Sequence, residues 1–122
     1  MPIATLSVIV LDCPDPTGLA RFYERLLGGE IKDDGEDWVD LYLPGGQRLA
    51  FQRAENLVPP RWPREDASQQ LHLDLDVPDV AEAEERVLAF GARPLDVDDD
   101  GGRRDFRVYA DPAGHPFCLV KA

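Results

Sequence analysis

The sequence predicts an α+β fold built from two tandem βαβββ modules, and three observations carry that prediction. The tetrad Asp12-Cys13-Pro14-Asp15 returns 64 residues later as Asp76-Val77-Pro78-Asp79. Each copy follows an apolar, strand-like run, Leu6 to Leu11 and then Leu71 to Val77. Each also precedes a helical pattern halted by glycine, at Leu27-Gly28 and at Phe90-Gly91. The offset is 64 at the tetrad and 63 at the glycine, so one residue is lost inside the second helix. A period near half of a 122-residue chain marks duplication of one supersecondary unit.

Taken in order, residues 4–12 read as a buried strand. Asp15 caps the following helix, with Pro16 at its first position, where the missing N–H costs nothing. Leu19, Phe22, Tyr23, Leu26 and Leu27 form one apolar stripe, and Gly28-Gly29 ends it. Strands near 29–33, 37–43 and 48–54 are separated by Asp34-Gly35 and Pro44-Gly45-Gly46. Residues 55–68, with Pro59-Pro60-Arg61-Trp62-Pro63, read as a linker, because proline cannot supply ladder or helix N–H groups. A strand over 70–77 opens the second half, and Asp79 caps a helix with Glu82 at capping-box spacing. Val80, Ala83, Val87 and Phe90 give that helix its apolar face. Strands near 93–97, 105–110 and 116–121 follow, the last two joined by Asp111-Pro112-Ala113-Gly114. Adjacent hairpins point to mainly antiparallel sheet with one helix on one face of each module.

The length suits a single domain over 1–122, with module one at 4–54, a linker at 55–68 and module two at 69–121. Thirteen basic against 24 acidic residues leave a net charge of −11, which opposes nucleic-acid binding and reads first as solubility, with attraction of a cationic ligand as the sharper alternative. No run approaches the roughly 20 apolar residues of a membrane span, and no secretory signal opens the chain, so a cytoplasmic location is expected. Cys13 and Cys118 fit reduced thiols there.

The segment Asp15 to Gly28, ending Phe22-Tyr23-Glu24-Arg25-Leu26-Leu27-Gly28, resembles the first-module signature of the vicinal oxygen chelate superfamily. Asp111-Pro112-Ala113-Gly114-His115-Pro116-Phe117 resembles its C-terminal counterpart. Trp62-Pro63, the strand Gln70 to Leu75 and Pro116-Phe117-Cys118 are similar to its glyoxalase-like branch. The superfamily includes glyoxalase I, bleomycin-resistance proteins, fosfomycin-resistance enzymes and extradiol dioxygenases. The resemblance implies sheets curved around a ligand cavity and a homodimer as the expected assembly. It does not imply a reaction, because one scaffold hosts many chemistries.

The resemblance also implies where a metal belongs, on the first and last strand of each module. The first-strand ligand sits seven residues before the aspartate that opens the helix, which gives His72 in module two and Val8 in module one. The last-strand glutamate, seven residues after the aspartate of the Asp-Pro turn, becomes Cys118. Its module-one counterpart is Ala50 or Gln52, and neither is a carboxylate. His72 and Cys118, with Asp74 or Gln52, form a short donor list for a divalent ion, so no metal and no other cofactor is expected. A second pattern, Asp96-Val97-Asp98-Asp99-Asp100-Gly101, opens like a calcium loop but has Arg107 at position twelve in place of the bidentate glutamate, and reads as a solvated turn.

Alternation places Gln70, His72, Asp74 and Asp76 on one strand face and Leu71, Leu73, Leu75 and Val77 on the helix side. The matching module-one face carries Leu6, Val8 and Val10. A half-apolar, half-acidic pocket suits a small organic ligand with a polar or cationic end. Val8, Gln52, His72, Asp74 and Cys118 are its expected lining, with Trp62 at the rim. Arg107 is a candidate partner for Asp74. Cys118 would act as a nucleophile only with a depressed pKa, His72 being the available activator. Trp38 and Tyr109 are expected in the core, and His115 in a turn. Two functions follow: a metal-free small-molecule binding protein, or an enzyme of the glyoxalase, lyase or isomerase type using His72 and Asp74 or an altered metal site. The residues leave open whether any reaction is catalysed.

Overall fold

The computed structural model describes residues 2–35 and 37–122. They form two compact units, Met1–Leu57 and Val58–Ala122, which divide the expected linker between them. The first holds β1 (Ile9–Cys13), α1 (Pro16–Leu27), β2 (Glu30–Asp33), β3 (Trp38–Tyr42) and β4 (Arg48–Arg53). The second holds β5 (Leu73–Val77), α2 (Val80–Ala89), β6 (Arg93–Asp96), β7 (Phe106–Ala110) and β8 (Pro116–Lys121). Each module is a four-stranded open sheet, ordered β1-β4-β3-β2 and β5-β8-β7-β6. The first and last strands of each module pair in parallel, and the other neighbours are antiparallel. The architecture is thus α+β, two βαβββ modules.

Both helix starts are built alike. Asp15 accepts from the Gly18 N–H and Asp79 from the Glu82 N–H, each at 3.1 Å, so each cap satisfies one orphan donor of the first turn. Gly28 closes α1 at φ 74°, a conformation that a side chain would strain. The two helices pack differently. In α1, Pro16, Leu19, Ala20, Phe22 and Tyr23 are buried, and Tyr23 stacks on Phe51 of β4 with centroids 5.9 Å apart. In α2 only Val87 is buried; Val80, Ala83 and Phe90 are half-exposed, less covered than their apolar spacing suggests.

Both opening strands are shorter than their apolar runs. Residues 4–8 and 70–72 lie outside β1 and β5, and the register explains why. Ile9 is level with Leu49 and Leu73 with Phe117, so the preceding residues soon overrun β4 and β8 and have no ladder to join. Leu6 and Leu71 are consequently exposed. Gln70 has φ 69°, which interrupts the alternation expected to place it beside His72.

The acidic 96–105 segment is a turn-rich loop. Asp98 accepts from the Asp100 N–H, and Asp99 from the Gly102 N–H. Arg107, at the position where a calcium loop carries glutamate, itself supplies the positive charge, with its Nη2 2.8 Å from Asp99 Oδ2. No helix among the described residues is long and apolar enough to cross a membrane.

Candidate functional site

Cross-strand register sorts each sheet into two faces. In module two, Arg107 and Tyr109 point toward α2, where Glu84 takes hydrogen bonds from both at 3.0 and 2.8 Å. Leu73 and Leu75 share that face through their pairing with Phe117 and Leu119. Asp74, Asp76, Phe106, Val108, Cys118 and Val120 occupy the face turned away from α2. Arg107 therefore cannot be the partner of Asp74: it lies on the opposite face and is held by Asp99 and Glu84. The guanidinium beside Asp99 holds that carboxyl below the ordinary range.

His72, Asp74 and Cys118 come together. His72 Nε2 lies 3.3 Å from Asp74 Oδ1, Asp74 is level with Cys118 across the parallel β5–β8 pair, and one ligand atom from each falls within 4.8 Å of the others. Exposure is graded. The Asp74 side chain is 60% exposed and His72 36%, whereas Cys118 is 3% exposed. Burial, and then the Asp74 carboxylate that accepts its S–H, push the Cys118 thiol up to about 12. That reverses what a nucleophile needs, because the attacking species is the thiolate. The contact with Asp74 therefore favours the protonated thiol.

Among the described residues, module one has no equivalent cluster. The 64-residue offset maps His72 and Asp74 onto Val8 and Val10. Val10 is level with Ala50, as Asp74 is with Cys118, so Ala50 and not Gln52 is the counterpart of Cys118. Gln52 is exposed and level with Asp12. Val8 lies four residues before Asp12, just outside β1 and roughly 13 Å away at the rise of an extended chain, so these two do not line one spot. Trp62 is half-buried in the second unit.

The module-one face is also more polar than its valines suggest. Asp40, only 4% exposed, accepts from Trp38 Nε1 at 3.1 Å and from Arg48 at 3.4 Å. Arg48 also donates to Ser7 Oγ at 3.0 Å. Trp38 pairs with Gln52 and so lies on the face away from α1, half-buried rather than in the core expected for it. Tyr109 is in the core as expected. Sequence reasoning missed Asp40; the i, i+2 spacing of Trp38 and Asp40 on one strand was the available signal. His115 lies in the last turn, where its backbone N–H donates to the buried Asp111 carboxylate at 3.0 Å.

A sequence model described as Glyoxalase-like domain matches residues 8–120. No curated protein matches. Among solved structures, a fosfomycin resistance protein from Listeria monocytogenes, complexed with manganese(II) and a dihydroxypropylphosphonic acid, is 17% identical with a TM-score of 0.71 over 99% of this chain and 94% of that one. A glyoxalase-related enzyme from Fulvimarina pelagi is 24% identical with a TM-score of 0.66, covering 98% and 89%. A glyoxalase/bleomycin resistance protein/dioxygenase family enzyme from Burkholderia phytofirmans is 19% identical with a TM-score of 0.68, covering 97% and 98%. With the duplicated βαβββ order and a family match over nearly its whole length, the chain belongs to the glyoxalase-like domain family of the vicinal oxygen chelate superfamily.

Proposed function

We propose that the chain binds a small organic molecule bearing a cationic head on the sheet face of module two, without a metal. The observation that carries this is Asp74, an ionisable carboxylate exposed on a sheet face, held on one side by His72 and on the other by the Cys118 thiol. The net charge of −11 adds long-range attraction for cations. The same reading takes the protein as a cytoplasmic homodimer, which would cover exposed apolar side chains such as Val58 and Leu71 of the second unit.

The fold family implies a divalent ion, and the donor set fits it poorly. Val8, Val10 and Ala50 contribute no donor from module one, and the only sulfur is a thiol that must first give up a strongly held proton. A hard ion such as manganese prefers oxygen and imidazole ligands, of which one carboxylate and one histidine remain. The test of the binding reading is titration of benzylamine and of neutral benzyl alcohol into the parent and Asp74→Asn. Because Asp74 is mostly solvated, the expected loss for the cation is roughly 0.2–1 kcal/mol, with no change for the alcohol. Equal binding of both compounds by both proteins removes Asp74 from the site.

A second reading is supported by the closeness of His72, Asp74 and Cys118: an enzyme of the glyoxalase, lyase or isomerase type. The His72–Asp74 pair would serve as acid and base, or the three residues would hold zinc, which accepts mixed nitrogen, oxygen and sulfur donors and supplies Lewis acidity. Native mass spectrometry with elemental analysis separates the two readings. Stoichiometric zinc lost on Cys118→Ala supports the second, and metal-free protein that still takes up the amine supports the first.

A further inference from the structure

The helix side of module two holds a cavity of about 350 Å³, between the start of α2, the loop that leads into β7 and the end of β8. Its size is at the small end of the range for ligand sites. Six charged side chains surround it, three of each sign: Arg104, Arg107 and Lys121 against Asp79, Asp99 and Asp105. Four of the six are engaged within the fold. Arg107 Nη2 lies 2.8 Å from Asp99 Oδ2, Arg104 Nη1 lies 3.0 Å from Asp96 Oδ2, and Asp79 caps α2 by accepting from the Glu82 N–H. Asp105 and Lys121 remain. The Lys121 N–H donates to the Asp105 carbonyl at 2.7 Å, and an antiparallel pair so bonded has its Cα atoms about 5.5 Å apart. By the parity of Arg107 and Leu119, both side chains face the helix side. Opposite charges facing one another across two strands ordinarily attract and pair. Among the described residues these two make no ion pair; both border the cavity instead, exposed at its mouth.

We propose that this cavity is a second ligand site, which takes a small aliphatic α-amino acid with its carboxylate on Lys121 and its ammonium group on Asp105. A simple anion would leave Asp105 unmatched beside its own charge, and a simple cation would do the same at Lys121. A zwitterion with its two charges close together meets both at once, as two receiving groups on directly opposed residues require. Pro78, Val80 and Ala81 supply an apolar wall for the aliphatic side chain. Arg107, with its side chain only 17% exposed and held by both Asp99 and Glu84, gives the cavity a fixed floor, so little ordering is left for the ligand to impose. The site lies on the opposite sheet face from Asp74 and does not rest on the cationic-ligand reading.

The probes are L-leucine, isocaproate, which lacks the ammonium group, and isoamylamine, which lacks the carboxylate. Each is titrated into the isotope-labelled full chain and followed by its amide chemical shifts. L-leucine is expected to move the amides of Val80, Ala81 and Gly102, which border the cavity, and to leave those of His72 and Asp74 in place. Each analogue should bind about three- to fivefold more weakly, the scale of one partly solvated charge pair. Lys121→Met and Asp105→Asn should each weaken L-leucine by a similar factor. Asp105→Asn should leave isocaproate unchanged, and Lys121→Met should leave isoamylamine unchanged, because each analogue lacks the group that the altered side chain would have met. Both side chains are exposed, so neither substitution should unfold the chain. Unmoved cavity amides, shifts confined to His72 and Asp74, or equal affinity for the three probes each overturn the assignment. So does an affinity for L-leucine that survives both substitutions. None of these outcomes bears on a cationic head at Asp74, which benzylamine tests separately.

Discussion

The two modules share topology, helix N-caps and the register of their parallel strand pairs, yet they use their faces in opposite ways. Module one invests in the helix side: α1 buries five residues, and Tyr23 stacks on Phe51. Its other face carries a buried carboxylate already engaged by Trp38 and Arg48. Module two packs its helix through Val87 and a polar network of Glu84, Arg107 and Tyr109. Its other face presents Asp74 and His72 to solvent. Duplication supplied two equivalent frames. Divergence left packing as the dominant role of one and exposed ionisable chemistry as the role of the other. Position by position, Val8, Val10 and Ala50 stand where His72, Asp74 and Cys118 stand, so three differences account for the contrast in ionisable groups on that face.

The largest expected effect tests the packing half of that contrast. Phe22 meets Tyr23 edge-on, with centroids 5.0 Å apart, and is buried. Phe22→Ala should cost about 3–5 kcal/mol, the range for an aromatic removed from a close-packed core. Val87→Ala, the corresponding cut in α2, should cost about 2 kcal/mol, from two lost methylene equivalents and a smaller cavity. Urea midpoints of the two variants decide it. Equal losses would mean that α2 is anchored as firmly as α1 and would break the comparison.

The second effect is on pH. Both Cys118 and Tyr109 of module two have raised pKa values, through burial first and then Asp74 and Glu84 respectively. A raised acid keeps its proton in the folded state at a pH where the unfolded chain has released it. Stability is therefore full below the ordinary thiol value near 8.5 and is lost as pH rises from there through the folded value of about 12. Cys118→Val should flatten that alkaline decline in thermal melts. At pH 8 the Cys118 thiol should react with iodoacetamide roughly a thousandfold more slowly than a free cysteine. Asp74→Asn should speed the reaction, because it removes the second cause and leaves only burial. A thiol that reacts at the free rate would show that the cluster is not hydrogen-bonded as described.

Much of this contrast was legible in the sequence, and the gaps have physical causes. The repeat located both helices and both caps, because caps and stripes are local signals. Parity alone placed His72 and Asp74 on one face, being two residues apart. The choice between Ala50 and Gln52 was not legible, since it depends on cross-strand register, which the Val10–Ala50 pairing fixes. The overhangs at 4–8 and 70–72 were hidden for the same reason: apolar alternation shows that a segment suits a strand but not whether a neighbour extends far enough to pair with it. Arg107 has a parity readable along β7, but its face relative to Asp74 required the β7–β8 register. Asp40 looked like a surface residue because burial of a carboxylate depends on cover from Trp38 and Arg48, which no composition reveals.

The smallest effect sits where the modules should be interchangeable. Asp15→Ala and Asp79→Ala each remove one capping bond of the same length, and each should cost about 1 kcal/mol. The residue that donates to the cap differs: Gly18 in module one, Glu82 in module two. A Cβ at Gly18 would collide with the Asp15 carboxylate as it now lies. Module two shows how that collision is relieved, because Asp79 accepts from Glu82, which has a Cβ, at the same 3.1 Å. The same capping bond is thus compatible with a Cβ at the donor position. Gly18→Glu should then gain helix propensity and a favourable charge at the helix start, together about 0.5–1.5 kcal/mol, measured as a higher urea midpoint. Loss of stability in Gly18→Glu would show that Asp15 is fixed by something absent around Asp79, and that the two helix starts are equivalent only in outline.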